Sequence, residues 1–284
     1  MSLTRKALWI IERNLGRLQT LADVAEACDV SRYHLAHAFG EATGLPVMQY
    51  LRGRRLTEAA RALAGGAPDI LSLALDSGYA SHEAFSRAFR AQFGVTPEMV
   101  RRTATTEDIA MVKPIDIQDG KSAGLKPPRI VQGDEIMAVG LAQRHPFGNP
   151  KDIPAQWRNF MATCYAAIPN KREGIPISLS GDLDDDGNFE YICAAEVTTF
   201  GQTPRGLIEV SLPARRYLVF AHDGHISTIG ATYNAIWNTG LPNSGERAAN
   251  VPCIERHLPT FNPQTGMGGV EIWIPVEADE QSGH

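Results

Sequence analysis

Asp69-Ile-Leu-Ser-Leu-Ala-Leu-Asp-Ser-Gly-Tyr-Ala-Ser81 runs directly into His82-Glu-Ala-Phe-Ser-Arg-Ala-Phe-Arg-Ala-Gln-Phe93, and this stretch decides how the first third of the chain is read. Apolar residues at helical spacing, a tight turn, the N-cap Ser81, then a second helix closed by Gly94 describe a helix-turn-helix unit. The same design stands upstream. Thr20 caps a helix with Leu21, Val24 and Ala25 on one face and Asp23 completing a capping box. Cys28-Asp29-Val30 makes the turn, and Ser31 caps a helix with Leu35, Ala38 and Phe39 inward, stopped by Gly44. Ala25 matches Ala74 at an offset of 49; Phe39 matches Phe89 and Gly44 matches Gly94 at 50. An internal repeat of such a unit is far less probable by chance than one copy.

Between the copies, Tyr50 to Leu63 reads as one helix buried through Leu51, Leu56, Ala59, Ala60 and Leu63. Its length of about 21 Å would hold two reading heads near one turn of B-DNA apart. Upstream, Ile10, Ile11, Leu15 and Leu18 give a further helical face.

Gly78-Tyr-Ala-Ser-His-Glu-Ala-Phe-Ser-Arg-Ala-Phe-Arg90 with Gly94-Val-Thr-Pro97 resembles the signature of the AraC/XylS transcription regulators, over about residues 4–103. The aromatic-Arg pair that usually follows the proline is Val100-Arg101 in this chain. The resemblance implies that the second helix of each unit enters the major groove of double-stranded DNA. It would bring Ser31, Arg32, Tyr33 and His37 to DNA from the first unit, and Ser81, His82, Glu83 and Arg87 from the second. Arginine suits guanine or phosphate, and Glu83 suits cytosine N4, although beside Ser81 it would equally favour the positive end of its helix. Arg54, Arg55 and Arg61 read equally as DNA contacts or as a charged helix face.

Residues 104–128 read as a linker, with Pro114, Gly120, Gly124, Pro127 and Pro128; Ile109 to Ile117 could form a strand laid on either side. This composition predicts few contacts across a boundary near Gly120. Beyond it, over residues 129–278, the pattern changes to short β-rich runs such as Ile136–Leu141, Tyr191–Val197 and Tyr217–Ala221. Helical segments Ile153–Ile168 and Ile226–Thr239 interrupt them, giving ββαββ twice at an offset near 80: an α+β antiparallel sheet with two helices.

This half is similar to the GyrI-like (SOUL-like) effector-binding domain. The carriers are Ile153-Pro-Ala-Gln-Trp157, Asn188-Phe-Glu-Tyr191, His222-Asp-Gly224, Leu241-Pro-Asn-Ser-Gly245 and Cys253-Ile-Glu-Arg-His257, where His257 replaces the usual aromatic. The resemblance implies a pocket in which Glu255 meets a small, cationic or aromatic effector, walled by Phe147, Trp157, Tyr191, Trp237 and Trp273. Trp157 and Trp237 stand on helices and read equally as core, and Glu255 could instead pair with Arg256.

The 284 residues, 43 % apolar and 21 % charged, exclude collagen-like and disordered classes, and no apolar run is long enough for a membrane span or signal peptide. Net charge divides into +3 for residues 1–103 and −8 for the rest, a basic head on an acidic body. Cys28, Cys164, Cys193 and Cys253 are too scattered for a zinc site or disulfide scaffold and read as buried thiols. His222, His225 and His257 read as solvent-facing rather than metal-binding, and the calcium-like Asp182–Asn188 run as a hairpin tip, since Cys193 stands where a closing Glu belongs. The expected protein is a cytoplasmic, ligand-responsive transcription regulator with neither metal nor cofactor. Its partners would be double-stranded DNA, a small-molecule effector and RNA polymerase, with no membrane. It is expected not to be an enzyme; a GyrI-like hydrolase or a drug-sequestering domain fused to a DNA-binding domain is the alternative.

Overall fold

Short polar residues start most of the N-terminal helices, and left-handed residues stop several of them. The computed structural model describes residues 1–277 except 19, 68, 108, 118–123, 147–150 and 184–187. Helix α1 (Leu3–Arg13) precedes α2 (Leu21–Cys28) and α3 (Arg32–Thr43), which form the first unit. Thr20 and Asp23 make the expected capping box, and Asp29 turns the chain at φ 57°. The Ser31 hydroxyl accepts from His34 N, and Gly44 ends α3 at φ 70°. The second unit repeats this with α5 (Ile70–Asp76) and α6 (His82–Phe93), the latter capped by Ser81 and ended by Gly94 at φ 75°. Helix α4 (Val47–Ala64) joins them and α7 (Pro97–Thr103) closes the bundle. Because Pro46 fixes its start, α4 is longer than Tyr50–Leu63, about 27 Å.

Arg54 and Arg55 of α4 are interior residues, not DNA contacts. Arg54 grips Glu12 with both ends of its fork, at 2.9 and 2.8 Å, and Arg55 Nε donates to the Leu15 carbonyl at 2.6 Å. Arg61 stays exposed, paired with Glu58. The connector lies on α4 as well, extended but outside any sheet. Thr57 Oγ1 accepts from Val112 N, Arg54 donates to the Val112 carbonyl, and Tyr50 OH accepts from Ile115 N. Gly53 makes this approach possible: a Cβ there would stand 2.8 Å from Val112 Cγ2.

Eight strands form one antiparallel sheet: β1 (Arg129–Gly133), β2 (Ile136–Pro146), β3 (Ile177–Leu183), β4 (Asn188–Val197), β5 (Ile208–Leu212), β6 (Arg215–His222), β7 (Cys253–His257) and β8 (Val270–Pro275). Their order, β1-β6-β8-β7-β3-β4-β2-β5, places the first strand of each ββαββ copy beside the second strand of the other. The central pair is therefore β7 and β3. One face is filled by a single apolar cluster drawn from all eight strands, including Val131, Leu179, Tyr217, Ile254 and Trp273, which requires the sheet to curl. The opposite face carries α8 (Ile153–Asn159), extended by a π-turn to Cys164, and α9 (Ile229–Ala235), extended by a π-turn to Gly240 and then α10 (Leu241–Ser244). The acidic hairpin tip expected at Asp182–Asn188 falls mostly outside the described residues. Cys28, Cys193 and Cys253 are buried and Cys164 half-buried, all four free.

The expectation of few contacts across the linker is overturned. Leu8, Tyr33, Leu35 and Phe39 share one buried cluster with Leu218, Phe220, Ile236, Trp237 and Ile272. Asn238 accepts at Oδ1 from Thr4 N (3.0 Å) and Thr4 Oγ1 (2.7 Å), and its Nδ2 donates to the Ala38 carbonyl at 3.0 Å. His34 Nε2 donates to the Trp237 carbonyl at 2.9 Å. Linker composition cannot report what two distant faces do to each other, and Gly120 itself lies outside the described residues. The Trp237 ring, 0 % exposed, fills the middle of this seam. Trp237→Ala should therefore cost about 3–5 kcal/mol. Differential scanning calorimetry should show one transition for the parent chain and two for the variant; a single unshifted transition would dispose of the seam as a stabilising element.

Candidate functional site

The two helix-turn-helix units share their local chemistry and differ in what covers them. On α6, Glu83, Arg87 and Arg90 are exposed, while Phe85 and Phe89 are buried. His82 Nε2 meets Glu98 Oε1 at 2.9 Å. The Glu83 carboxyl is held below its ordinary range first by the Ser81 side chain, so the helix-start reading of Glu83 is present in the structure. On α3 only Arg32 is exposed, with Ser31 half-buried. Tyr33 and His37, at the positions matching Glu83 and Arg87, are 6 % and 4 % exposed. Tyr33 OH lies 3.4 Å from the Ser180 carbonyl and 3.3 Å from Cys253 Sγ. His37 stacks on Trp237 with centroids 4.9 Å apart and planes at 22°. In this arrangement neither reaches DNA, because the sheet domain occupies the face that the repeat leaves free on α6.

Glu255 stands on the central strand pair, facing the helices. β7 and β3 pair with Glu255 opposite Ser178 and Cys253 opposite Ser180. Ser178 Oγ donates to Glu255 Oε2 at 2.6 Å, Tyr191 OH to the same oxygen at 2.9 Å, and Tyr233 OH to Oε1 at 2.8 Å. Trp157 Nε1 donates to Tyr191 OH at 3.2 Å, extending the chain to α8. Burial, then the Glu255 charge, keep Tyr191 and Tyr233 well above the usual tyrosine range, so both remain donors. Arg256 turns to the other face, meeting Glu196 at 2.5 Å and lying over the Trp273 ring at 5.0 Å. Its salt bridge is not with Glu255.

Of the expected walls, Tyr191 and Trp157 reach Glu255's network. Trp273 does not: it pairs with Ile254, one residue out of phase with Glu255, and so projects from the opposite face. Trp237 belongs to the seam under α3 rather than to this network, and Phe147 lies outside the described residues. His257 shares Glu255's side of β7 and meets the Trp157 ring edge-on at 5.6 Å, so an aromatic ring does stand there. His222, expected in solvent, is buried with Nδ1 at 2.7 Å from Thr232 Oγ1; His225 is exposed. Sequence reasoning missed Ser178 and Tyr233. A serine inside the apolar Ile175–Leu179 run was the available signal for the first; nothing local singles out Tyr233.

Residues 126–277 match the model of the GyrI-like small molecule binding domain, and residues 24–103 match a helix-turn-helix domain. The chain belongs to the GyrI-like family. It joins that domain to an AraC-type helix-turn-helix region, as a DNA-binding transcription regulator. The Right origin-binding protein of Escherichia coli K12 is 26 % identical over 280 residues, covering 95 % of this chain and 96 % of that one. The multiple antibiotic resistance protein MarA of the same strain is 33 % identical over 106 residues, 37 % of this chain and 84 % of that one. The transposon Tn10 TetD protein of Escherichia coli is 38 % identical over 104 residues, 37 % of this chain and 75 % of that one. The two short alignments are about as long as the helix-turn-helix region, and the long one spans both regions of the chain. No helix among the described residues is long and apolar enough to cross a membrane.

Burial pushes His37 down to about 3, with His34 adding to the effect, and burial lowers His34 despite its bond to the Trp237 carbonyl. Both histidines bind fewer protons folded than unfolded. Their contribution is therefore complete above the unfolded value of 6.5 and declines as pH falls below it, towards about 3 for His37. Each can cost up to about 1.4 kcal/mol per pH unit. The Glu41 carboxyl, pushed up to about 8 by burial, gains stability over the same range, so the histidines are read from a difference: between pH 7 and pH 5 thermal melts of the parent should lose stability relative to those of His37→Phe, which keeps the stack. Equal slopes in both proteins would remove His37 from the account.

Proposed function

We propose that the GyrI-like domain senses an organic cation at Glu255 and that the helix-turn-helix units pass the signal to DNA. The observation carrying this reading is the Glu255 carboxylate: 6 % exposed, bonded by three neutral hydroxyls, and paired with no cation among the described residues. A buried carboxylate is costly to keep ionised unless a charge compensates it, and an arriving cation recovers that cost. Tyr191 and Trp157 orient the carboxylate and supply aromatic surface, with about 0.5–2 kcal/mol of cation–π attraction from each face a cation meets. In this reading residues 4–103 read DNA, 104–128 connect and 129–278 sense. Ser31, Arg32, Ser81, His82, Glu83 and Arg87 are the DNA-side residues, Arg87 foremost because α6 leaves it free. RNA polymerase is the further partner such a regulator would meet in the cytoplasm.

Glu255→Gln keeps volume and hydrogen bonding and deletes the charge. Calorimetric titration with benzyltrimethylammonium and its neutral carbon isostere neopentylbenzene separates the two contributions. The variant should lose about 2–5 kcal/mol for the cation and little for the hydrocarbon. Unchanged binding of both would mean that Glu255 is not the recognition group.

On the DNA side, a duplex selected by the full chain from a random library should lose about 1–3 kcal/mol of affinity with Arg87→Ala, with relaxed preference at one base position. Fluorescence anisotropy on the selected duplex and its single-base variants checks this. Equal loss on every sequence would demote Arg87 to a phosphate contact.

A further inference from the structure

Helix α3 reaches the same face of the sheet as Glu255. Tyr33 stands at the Ser180–Cys253 pair, two residues along both strands from the Ser178–Glu255 pair and on the same face, a step of about 7 Å. Two turns further along α3, about 12 Å away, Glu41 meets α9. The Asn234 amide donates to its backbone carbonyl at 3.3 Å, and its Oε2 lies 3.8 Å from where a Gly230 Cβ would stand. Tyr233, in the same turn of α9, holds Glu255. One short helical segment therefore lies beside Glu41 of one half and bonds Glu255 of the other. Glu41 has no cation partner among the described residues.

We propose that the effector site is shared: α3 supplies Tyr33 and Glu41 as one wall, and an organic cation seated at Glu255 is held by Glu41 too, clamping the first reading helix onto the sensor. This rests on the cation-sensing role of Glu255. With α3 docked the cation meets two carboxylates; with α3 released it meets one. A ligand shifts an equilibrium only by its differential affinity for the two states, and Glu41 supplies that difference. Because docking buries the Tyr33 and His37 face, the cation and DNA compete for α3, each weakening the other by the same factor.

Burial, and then the nearby Glu255, push the Glu41 carboxyl up to about 8, so at pH 7 it is largely protonated in the empty site. A cation beside it favours the ionised form and releases the proton. The shifted groups that face it do not exchange protons at pH 7: burial keeps His34 and His37 on α3 and His257 on β7 neutral and pushes Cys253 up to about 12, and Tyr33, Tyr191 and Tyr233 are held well above their usual range.

The test is calorimetric titration of the full chain with benzyltrimethylammonium at pH 7, in phosphate and in Tris, whose different ionisation heats count the protons released. The parent should release most of one proton per cation. Glu41→Gln should release none and bind about tenfold more weakly. Hydrogen exchange should show the cation slowing α3 amides in the parent and not in the variant. Undiminished affinity and proton release in Glu41→Gln, with Glu255→Gln still impaired, would overturn the shared site while leaving Glu255 as the receptor. If Glu255→Gln also binds the cation as before, the cation-sensing reading fails first. Faster α3 exchange on binding would overturn the clamp.

Discussion

The packing of α3 on Trp237 and Asn238 is the interaction on which the remaining arrangement depends. An apolar ring alone would tolerate sliding, since dispersion contacts are non-directional. Asn238 removes that freedom. Its oxygen takes two bonds from Thr4 and its amide gives one to the Ala38 carbonyl and one to Asn234 at 3.2 Å. Both of its N–H donors and both lone pairs of its oxygen are used, so displacement by one turn would bury unpaired groups on both sides. The register of α3 against α9 fixes Tyr33 over the centre of the sheet and Glu41 against α9, and hence how close the DNA-reading half comes to Glu255.

The repeat makes the cost of this docking visible. At an offset of 50, Tyr33, His37 and Glu41 correspond to Glu83, Arg87 and Ala91. The second unit carries on that face the charges and small side chains of a solvated or DNA-facing surface. The first carries aromatic rings that stack and a half-buried carboxyl. Two copies of one scaffold have thus been given different partners for the same face. A single helix-turn-helix sequence would not reveal this; the contrast between copies does, once the free face of α6 is used to read α3.

Much of the architecture was legible because it is encoded locally. Thr20, Ser31, Ser81, Gly44 and Gly94 punctuate the helices where cap chemistry demands, and the doubled ββαββ pattern follows from strand and helix periodicities. What escaped depends on relations between distant segments. Strand alternation shows that Trp273 and Ile272 face opposite ways, but which of them shares a face with Glu255 is decided by the β7–β8 register, where Glu255 sits opposite Ile272. Arg54 and Arg55 look like any charged helix face until Glu12 and the Leu15 carbonyl, forty residues away, are brought against them. The Pro and Gly content of the connector reads as a linker, with Ile109 to Ile117 able to lie on either side. Its backbone is instead tied by Thr57, Arg54 and Tyr50, side chains that a reading of the connector by itself never consults.

The split of charge acquires a physical role from this geometry. The seam is built from neutral rings, amides and apolar side chains, so added salt screens little of it. DNA binding by a head of net +3 releases counterions and weakens as salt rises. The body of net −8 adds a repulsion between sensor and phosphate backbone that salt also screens, but over a longer distance than the direct contacts. A chain that engages DNA through α6 while α3 stays docked keeps that acidic body beside the duplex. Release of α3, as proposed, would both free a second reading face and let the body move away. The two halves therefore oppose each other electrostatically only when DNA is present, and the neutral seam holds α3 in its absence. In the proposed shared site, an effector that adds positive charge at Glu255 would strengthen the seam where it comes closest to Glu41 and would leave the remote contacts of Trp237 and Asn238 unchanged.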